Sequence, residues 1–425
     1  MIFKPAQGTP RLDAPYFPEV GVLGLVPDDW EGVWQPRHQV LSRLSRYFNV
    51  VWISPAREWR EIWLSRQGWN ATPAARQLPR PSFMVYRPGK LLPRLYKPRF
   101  LASLLAQARL KQAKRLLVNR GCRKVILYLW RPEYEEALDL VPHDLSCYHI
   151  DDEYSFSVVE QPVSDSEARL ISRVNQVFIH SPALLEKKGS LNSHTQFVPN
   201  GVDYHAYATP RREPEDLKAI AHPRIGYVGR IKSQLDIDLL LLLARRHREW
   251  SFVLVGPRGQ LTHRDVQLID ELKQIPNVHF LGGKPVDMLP AYTQHMDVCI
   301  LNYRVNDYTK YIYPLKLHEY LATGRPVVGS PINSLLQFCG AIALARTAEE
   351  WSQALSEALR VGTHSDGKGE ARQRTARRYD WGGLVHMIAR TICEQLGAEY
   401  RARIAIDRHS EDYHLTFPPT LEQGL

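Results

Sequence analysis

The chain has 425 residues, with 55 Lys+Arg against 45 Asp+Glu for a net charge of +10, and 44% apolar and 24% charged residues. This is a globular composition, too rich in apolar side chains for a disordered tail, and its length predicts two or three domains that need no disulfides to hold their cores. The five cysteines, Cys122, Cys147, Cys299, Cys339 and Cys393, include no pair at metal-ligand or redox spacing. That spacing argues against a secreted disulfide framework and a structural zinc site, and for the reducing cytosol.

In chain order, residues 1–20 lack a charged start followed by an apolar run, so they read as a leader arm with no signal peptide. Apolar stretches such as 239–244 fall far short of the roughly 20 residues of a membrane span. Strand-like runs alternate with helical patterns, the signature of parallel sheets built from βαβ units. A first series predicts strands at 21–26, 50–53, 124–129, 147–150, 176–179 and 195–198, with helices at 36–47 and 100–119. Residues 200–223, polar and proline-containing, read as a domain linker. A second series predicts strands at 224–228, 252–255, 278–281, 298–301, 326–328 and 341–344. After a polar break at 362–369, helical patterns run to about 398, and the tail 399–425 reads as polar and loosely held. Two doubly wound domains facing each other place the carboxyl ends of both sheets on one cleft, where ligands of open α/β folds bind.

The positive charge is regional. Residues 57–124 carry 17 Lys/Arg and two acids, Glu58 and Glu61, for a local net of +15 that leaves the rest of the chain at −5. Trp59, Trp63, Trp69, Phe83, Tyr86, Tyr96 and Phe100 lie among these cations, and prolines from Pro73 to Pro98 interrupt regular structure. An anionic membrane surface attracts such a patch by about 1 kcal/mol per basic residue close to it, with Trp and Tyr suited to the interface. A solvated basic face over packed aromatics is the alternative. Nucleic acid is disfavoured because no nucleic-acid module is recognisable.

Three segments carry chemistry. Strand 224–228 runs into Gly229, Arg230 and Lys232, where backbone amides and cations can meet a diphosphate, although a Gly-x-x-Gly turn is also a common strand-to-helix connection. In 307–330, DYTKYIYPLKLHEYLATGRPVVGS, Pro314 suits a first helical turn, and Lys316 and Glu319 share a helix face. That arrangement offers a cation to phosphate and a carboxylate to a ribose diol, or else forms an ordinary surface ion pair. His149, Asp151, Asp152 and Glu153 follow the strand at 147–150 and are expected to face the cleft, unless the acids only form a solvated loop or cap. His180 and Ser181 follow the next strand, with Ser181 and Pro182 reading as a helix cap.

Together, 225–229 (IGYVG), 250–257 (WSFVLVGP), 277–282 (NVHFLG) and 313–328 (YPLKLHEYLATGRPVV), with 199–203 (PNGVD) and 32–44, resemble a GT-B glycosyltransferase of the family-four type, in the branch used for bacterial surface polysaccharides. The resemblance implies an α/β fold in which two Rossmann-like parallel-sheet domains face a central cleft and C-terminal helices pack back. The implied domains are an acceptor-side domain 1–203 with the basic aromatic insertion 57–124, a donor domain 204–380, and a helix and polar tail 381–425. It further implies transfer of a hexosyl unit from a nucleoside-diphosphate sugar to a polysaccharide or lipid-linked saccharide acceptor, with retention; no metal is needed if helix-terminal amides, Arg230, Lys232 and Lys316 neutralise the leaving diphosphate, and no cofactor is expected. Localisation would be cytoplasmic, with peripheral contact to the inner face of the membrane. A non-catalytic scaffold and a nucleotide-sugar epimerase are the alternatives. Donor contacts are assigned to Gly229, Arg230, Lys232, Pro257, Tyr313, Pro314, Leu315, Lys316 and Glu319, and catalytic roles to Asp152, Asp151 and His149. Two positions depart from the family pattern: Tyr311 stands where many members carry a glutamate to the donor sugar, and Asp236 where many carry a lysine.

Overall fold

The computed structural model describes residues 14–60, 78–156, 159–361 and 368–406. Among these residues the chain forms two parallel sheets. The first contains β1 (Phe17–Leu25), β2 (Phe48–Ile53), β3 (Phe83–Tyr86), β4 (Lys124–Leu129), β5 (Leu145–Ile150), β6 (Gln176–Ile179) and β7 (Thr195–Phe197), in the order β3-β2-β1-β4-β5-β6-β7. The second contains β8 (Arg224–Val228), β9 (Ser251–Val255), β10 (Val278–Gly282), β11 (Val298–Leu301), β12 (Val327–Gly329) and β13 (Ala343–Leu344), in the order β10-β9-β8-β11-β12-β13. Every strand pairing is parallel.

Helices cover both faces, so the central strands are buried on both sides and read as continuous apolar runs. β2, β5, β8 and β9 are buried at every position. Strand order reverses between β1 and β4 in the first sheet and between β8 and β11 in the second. These are the points where an open α/β sheet leaves a crevice at its carboxyl edge.

Three segments differ from the sequence expectation. β3 forms inside the proline-rich basic stretch, because Phe83 buries against the first core and the strand needs only one partner, β2. Of the aromatics in that stretch, Trp63 and Trp69 lie outside the described residues. The linker 200–223 is packed: Tyr207, Leu217 and Ile220 belong to the second core. The tail is not loose from 399, since helix Ala398–Ala405 buries Ile404 in the first core and pairs Arg403 with Glu19 at 2.5 Å; the rest of the tail, 407–425, lies outside the described residues.

The chain crosses between the sheets twice. Residues 199–203 lead from the first to the second, and 379–381 lead back to helix Trp381–Leu396, which packs on helix Pro36–Leu44 beside β1. The two crossings bond to each other, Val202 N to the Tyr379 carbonyl and Trp381 N to the Val202 carbonyl, both at 2.9 Å.

Candidate active site

A cleft of about 1700 Å³ opens where the carboxyl edges of the two sheets meet, lined from both. All nine residues read as donor contacts line it: Gly229, Arg230, Lys232, Pro257, Tyr313, Pro314, Leu315, Lys316 and Glu319. They arrive from three strand ends, β8, β9 and β11, two of which flank the reversal of the second sheet.

Glycine makes the loop after β8 possible. Gly229 has φ +151°, and a Cβ there would lie 1.8 Å from Lys316 Cε, so the lysine crosses directly over the loop. Lys316 is the second residue of helix Leu315–Ala322, with Pro314 at the N-cap. Its ammonium lies 5.4 Å from the centre of the Tyr227 ring. Burial first, and then Lys316, push the Lys232 ammonium below its usual range. Arg230 adds to this repulsion. Three crowded cations beside a helix start, where the first amides have no intrahelical partner, form a site that an anion stabilises.

One turn along the helix, Glu319 is half-buried in the cleft wall and hydrogen-bonded by Tyr207. Burial pushes its carboxyl up, and Lys316 opposes the shift. Asp236, the family's lysine position, caps the next helix by accepting from Leu239 N at 2.9 Å, so it is committed to the backbone.

On the opposite wall Asp151 and Asp152 line the cleft. Asp151 accepts from Arg37 at 2.6 Å and from the Tyr154 hydroxyl, while Arg37 also pairs with Asp28. Asp152 accepts from the Tyr308 hydroxyl of the other domain at 3.2 Å. Burial, and then Asp151, push its carboxyl up, which favours the protonated form relative to an exposed aspartate.

His149 does not face the cleft. It is an interior residue of β5, stacked on Trp130 at 4.2 Å with its Nδ1 2.9 Å from the Tyr128 hydroxyl. Burial, and then His180, push its imidazole well below the usual range. The strand runs one face into the core at that register, and the chain turns into the cleft only past Ile150. His180 lines the cleft instead, with Nδ1 3.0 Å from the Ile150 carbonyl. Ser181 occupies the N-cap position of helix Pro182–Lys188, yet its hydroxyl makes no capping bond.

The carboxyl edge also brings in residues that sequence reasoning passed over. Asp28 and Glu31 follow β1, and Arg131 follows β4, so all flank the first sheet's reversal. Their signal was the same strand-end position that singled out Asp151. Tyr311 reaches across the cleft: its hydroxyl donates to Glu160, and Lys310 donates to the same carboxylate at 2.5 Å. The Lys310 and Tyr311 hydrogen bonds hold the Glu160 carboxyl down at about 2. The contact therefore stays charged at neutral pH and weakens only as acid drops the pH from the ordinary carboxylate range towards that value.

Residues 222–360 match the family Glycosyl transferases group 1. That segment is similar to the family, and the two facing parallel sheets of the chain make the GT-B fold. Among known proteins, the putative teichuronic acid biosynthesis glycosyltransferase TuaH of Bacillus subtilis (strain 168) is 32% identical over 182 residues. That alignment covers 40% of this chain and 44% of the relative, so the chain matches less than half of its length. Anabaena Alr3699/HepE, solved in complex with UDP-glucose, superposes with a TM-score of 0.61 at 16% identity, over 88% of this chain and 99% of that one. WaaG, a glycosyltransferase involved in lipopolysaccharide biosynthesis, superposes with a TM-score of 0.55 at 12% identity, over 87% and 98%. These likenesses bear out the expected fold.

Proposed function

We propose that the protein is a glycosyltransferase that moves a hexosyl unit from a nucleoside-diphosphate sugar to a saccharide or lipid-linked saccharide of a surface polysaccharide. The observation that carries this reading is the convergence of Gly229, Arg230, Lys232 and Lys316 with Glu319 on one wall of the cleft. In this reading the diphosphate lies against the start of helix Leu315–Ala322, and Glu319 accepts from the ribose hydroxyls. Arg230, Lys232 and Lys316 take up the charge that develops on the leaving diphosphate, without a metal. Asp152 stands across the cleft beside the reacting sugar, and contact between the domains excludes water as a competing acceptor. The UDP-glucose bound by the Anabaena protein supports a nucleotide-sugar donor, and the family-four resemblance supports retention.

The test is a thermal-shift screen with UDP, GDP, ADP and CMP and their sugar conjugates, since a ligand of the folded state stabilises it by mass action. One nucleotide should stabilise the chain selectively, and Glu319→Gln should weaken that nucleotide by about 10- to 100-fold, the range for hydrogen bonds to a charged group. Folded protein that responds to none of them, or Glu319→Gln with unchanged affinity, would overturn the assignment.

The basic stretch supports peripheral attachment to an anionic membrane. Leu91, Tyr96, Phe100 and Leu104 are exposed among Lys90, Lys97, Arg99 and Arg115, with Leu91 at 91% and Phe100 at 69%. No helix among the described residues is long and apolar enough to cross a membrane. Flotation with vesicles containing phosphatidylglycerol should capture the protein and release it as salt rises. Equal capture by neutral vesicles would rule out the electrostatic attachment.

A further inference from the structure

Among the charged residues of the acceptor-side wall, Arg131 differs from its neighbours. Arg37 serves Asp28 and Asp151, and Arg43 pairs with Asp203 at 3.1 Å. Arg131 has no hydrogen-bond or carboxylate partner among the described residues, and its Nε is closed off from solvent with no acceptor. It lies over the face of Tyr154, 4.7 Å from the guanidinium carbon to the ring centre.

Asp151, Glu133 and Asp152 act on it through charge alone, and the two aspartates are bonded elsewhere. Asp151 is held by Arg37 and Tyr154, Asp152 accepts from Tyr308, and Glu31 pairs with Arg87. A buried guanidinium N–H without an acceptor is costly, and in a residue that lines the cleft it leaves bonding capacity that a ligand can use. Arg131 also stands two residues past β4, at the reversal of the first sheet where that sheet's ligand crevice lies. The wall is the one facing Arg230, Lys232 and Lys316, so the donor diphosphate already has cations of its own. A planar guanidinium that lines the cleft and has no carboxylate bonded to it among the described residues matches a carboxylate or phosphate edge.

We propose that Arg131 receives an anionic group carried by the acceptor, so that the acceptor is an acidic sugar or a sugar phosphate. This rests on the glycosyl-transfer reading above. Arg131 is then a specificity residue for the acceptor, and the aromatic face of Tyr154 holds its plane in the cleft.

The experiment uses the full chain, saturated with the nucleoside diphosphate that stabilises it most. Saturation-transfer NMR titrations are run with methyl β-D-glucuronide, glucose 6-phosphate and the neutral methyl β-D-glucoside. One of the two anionic sugars should bind about tenfold more tightly than the neutral one, the order for a single charged hydrogen-bonded pair, and the stronger of the two names the anion as carboxylate or phosphate. Arg131→Gln should erase the preference, Arg131→Lys should keep part of it, and both should leave nucleotide affinity unchanged. Equal binding of all three sugars overturns the proposal, as does a preference that survives in Arg131→Gln. Loss of nucleotide affinity in Arg131→Gln also overturns it, because the arginine would then serve the donor. If no nucleoside diphosphate binds the wild-type chain, the transfer reading fails on its own, and the same titrations on the free chain still decide whether Arg131 selects an anion.

Discussion

Replacing Lys188 by methionine is expected to cost about 3–5 kcal/mol of stability, the range for breaking a buried ion pair by removing one partner. The side chains of Lys188, Glu153 and Glu167 are fully buried. Lys188 lies 2.8 Å from Glu167 and 3.4 Å from Glu153. Tyr148 donates to Glu167 at 3.2 Å, and Glu153 accepts from Ser155 N at 2.8 Å. Without the ammonium, two carboxylates stay in the interior, and only Lys187, 3.4 Å from Glu153, remains near them. Glu153 directly follows Asp151 and Asp152, so loss of its partner frees the loop that brings both to the cleft. Urea denaturation checks the magnitude. Adding Glu167→Leu to Lys188→Met should recover part of the loss, because one unpaired charge leaves with its carboxylate. A double variant no more stable than the single one would show that packing, not charge, sets the cost.

Gly229→Ala is expected to lower nucleotide affinity at least about tenfold while costing about 1–3 kcal/mol in backbone strain. The added methyl would sit 1.8 Å from Lys316 Cε, so the lysine must leave its place over the loop. Gly282→Ala is the control. Gly282 also has positive φ, at +68°, but a Cβ there meets nothing within 4 Å. It should cost about 1–2 kcal/mol and leave affinity intact. Calorimetry with the selected nucleotide checks both variants. Equal affinities in the two would mean that Lys316 does not contact the ligand.

Most strands were legible in the sequence because a parallel strand buried on both faces is written as an uninterrupted apolar run. VILYL in β4 and SFVLV in β9 leave no other reading between their polar borders. β3 was obscured because prolines on both sides outweighed a four-residue apolar run. The donor wall was legible for a local reason: Gly229 to Lys232 and Pro314 to Glu319 are short segments whose chemistry sits at fixed spacing. The opposite wall was not. His149 is three residues from Asp152, yet it lies inside the strand and faces the core, a difference of register that the HIDDE run does not display. The Tyr308–Asp152 and Tyr311–Glu160 contacts join residues more than 150 positions apart, and nothing local encodes them.

The paired crossings have a mechanical meaning. Two chains joining two bodies could pivot separately, but here they are tied to each other by bonds at Val202, one to Tyr379 and one from Trp381. Sliding one half along the other would break both bonds, whereas swinging about the axis of this two-stranded ribbon keeps them. The two crossings thus act as one joint rather than two separate tethers, and the bonds of Tyr308 to Asp152 and of Tyr311 to Glu160 act on the alignment of the same two walls.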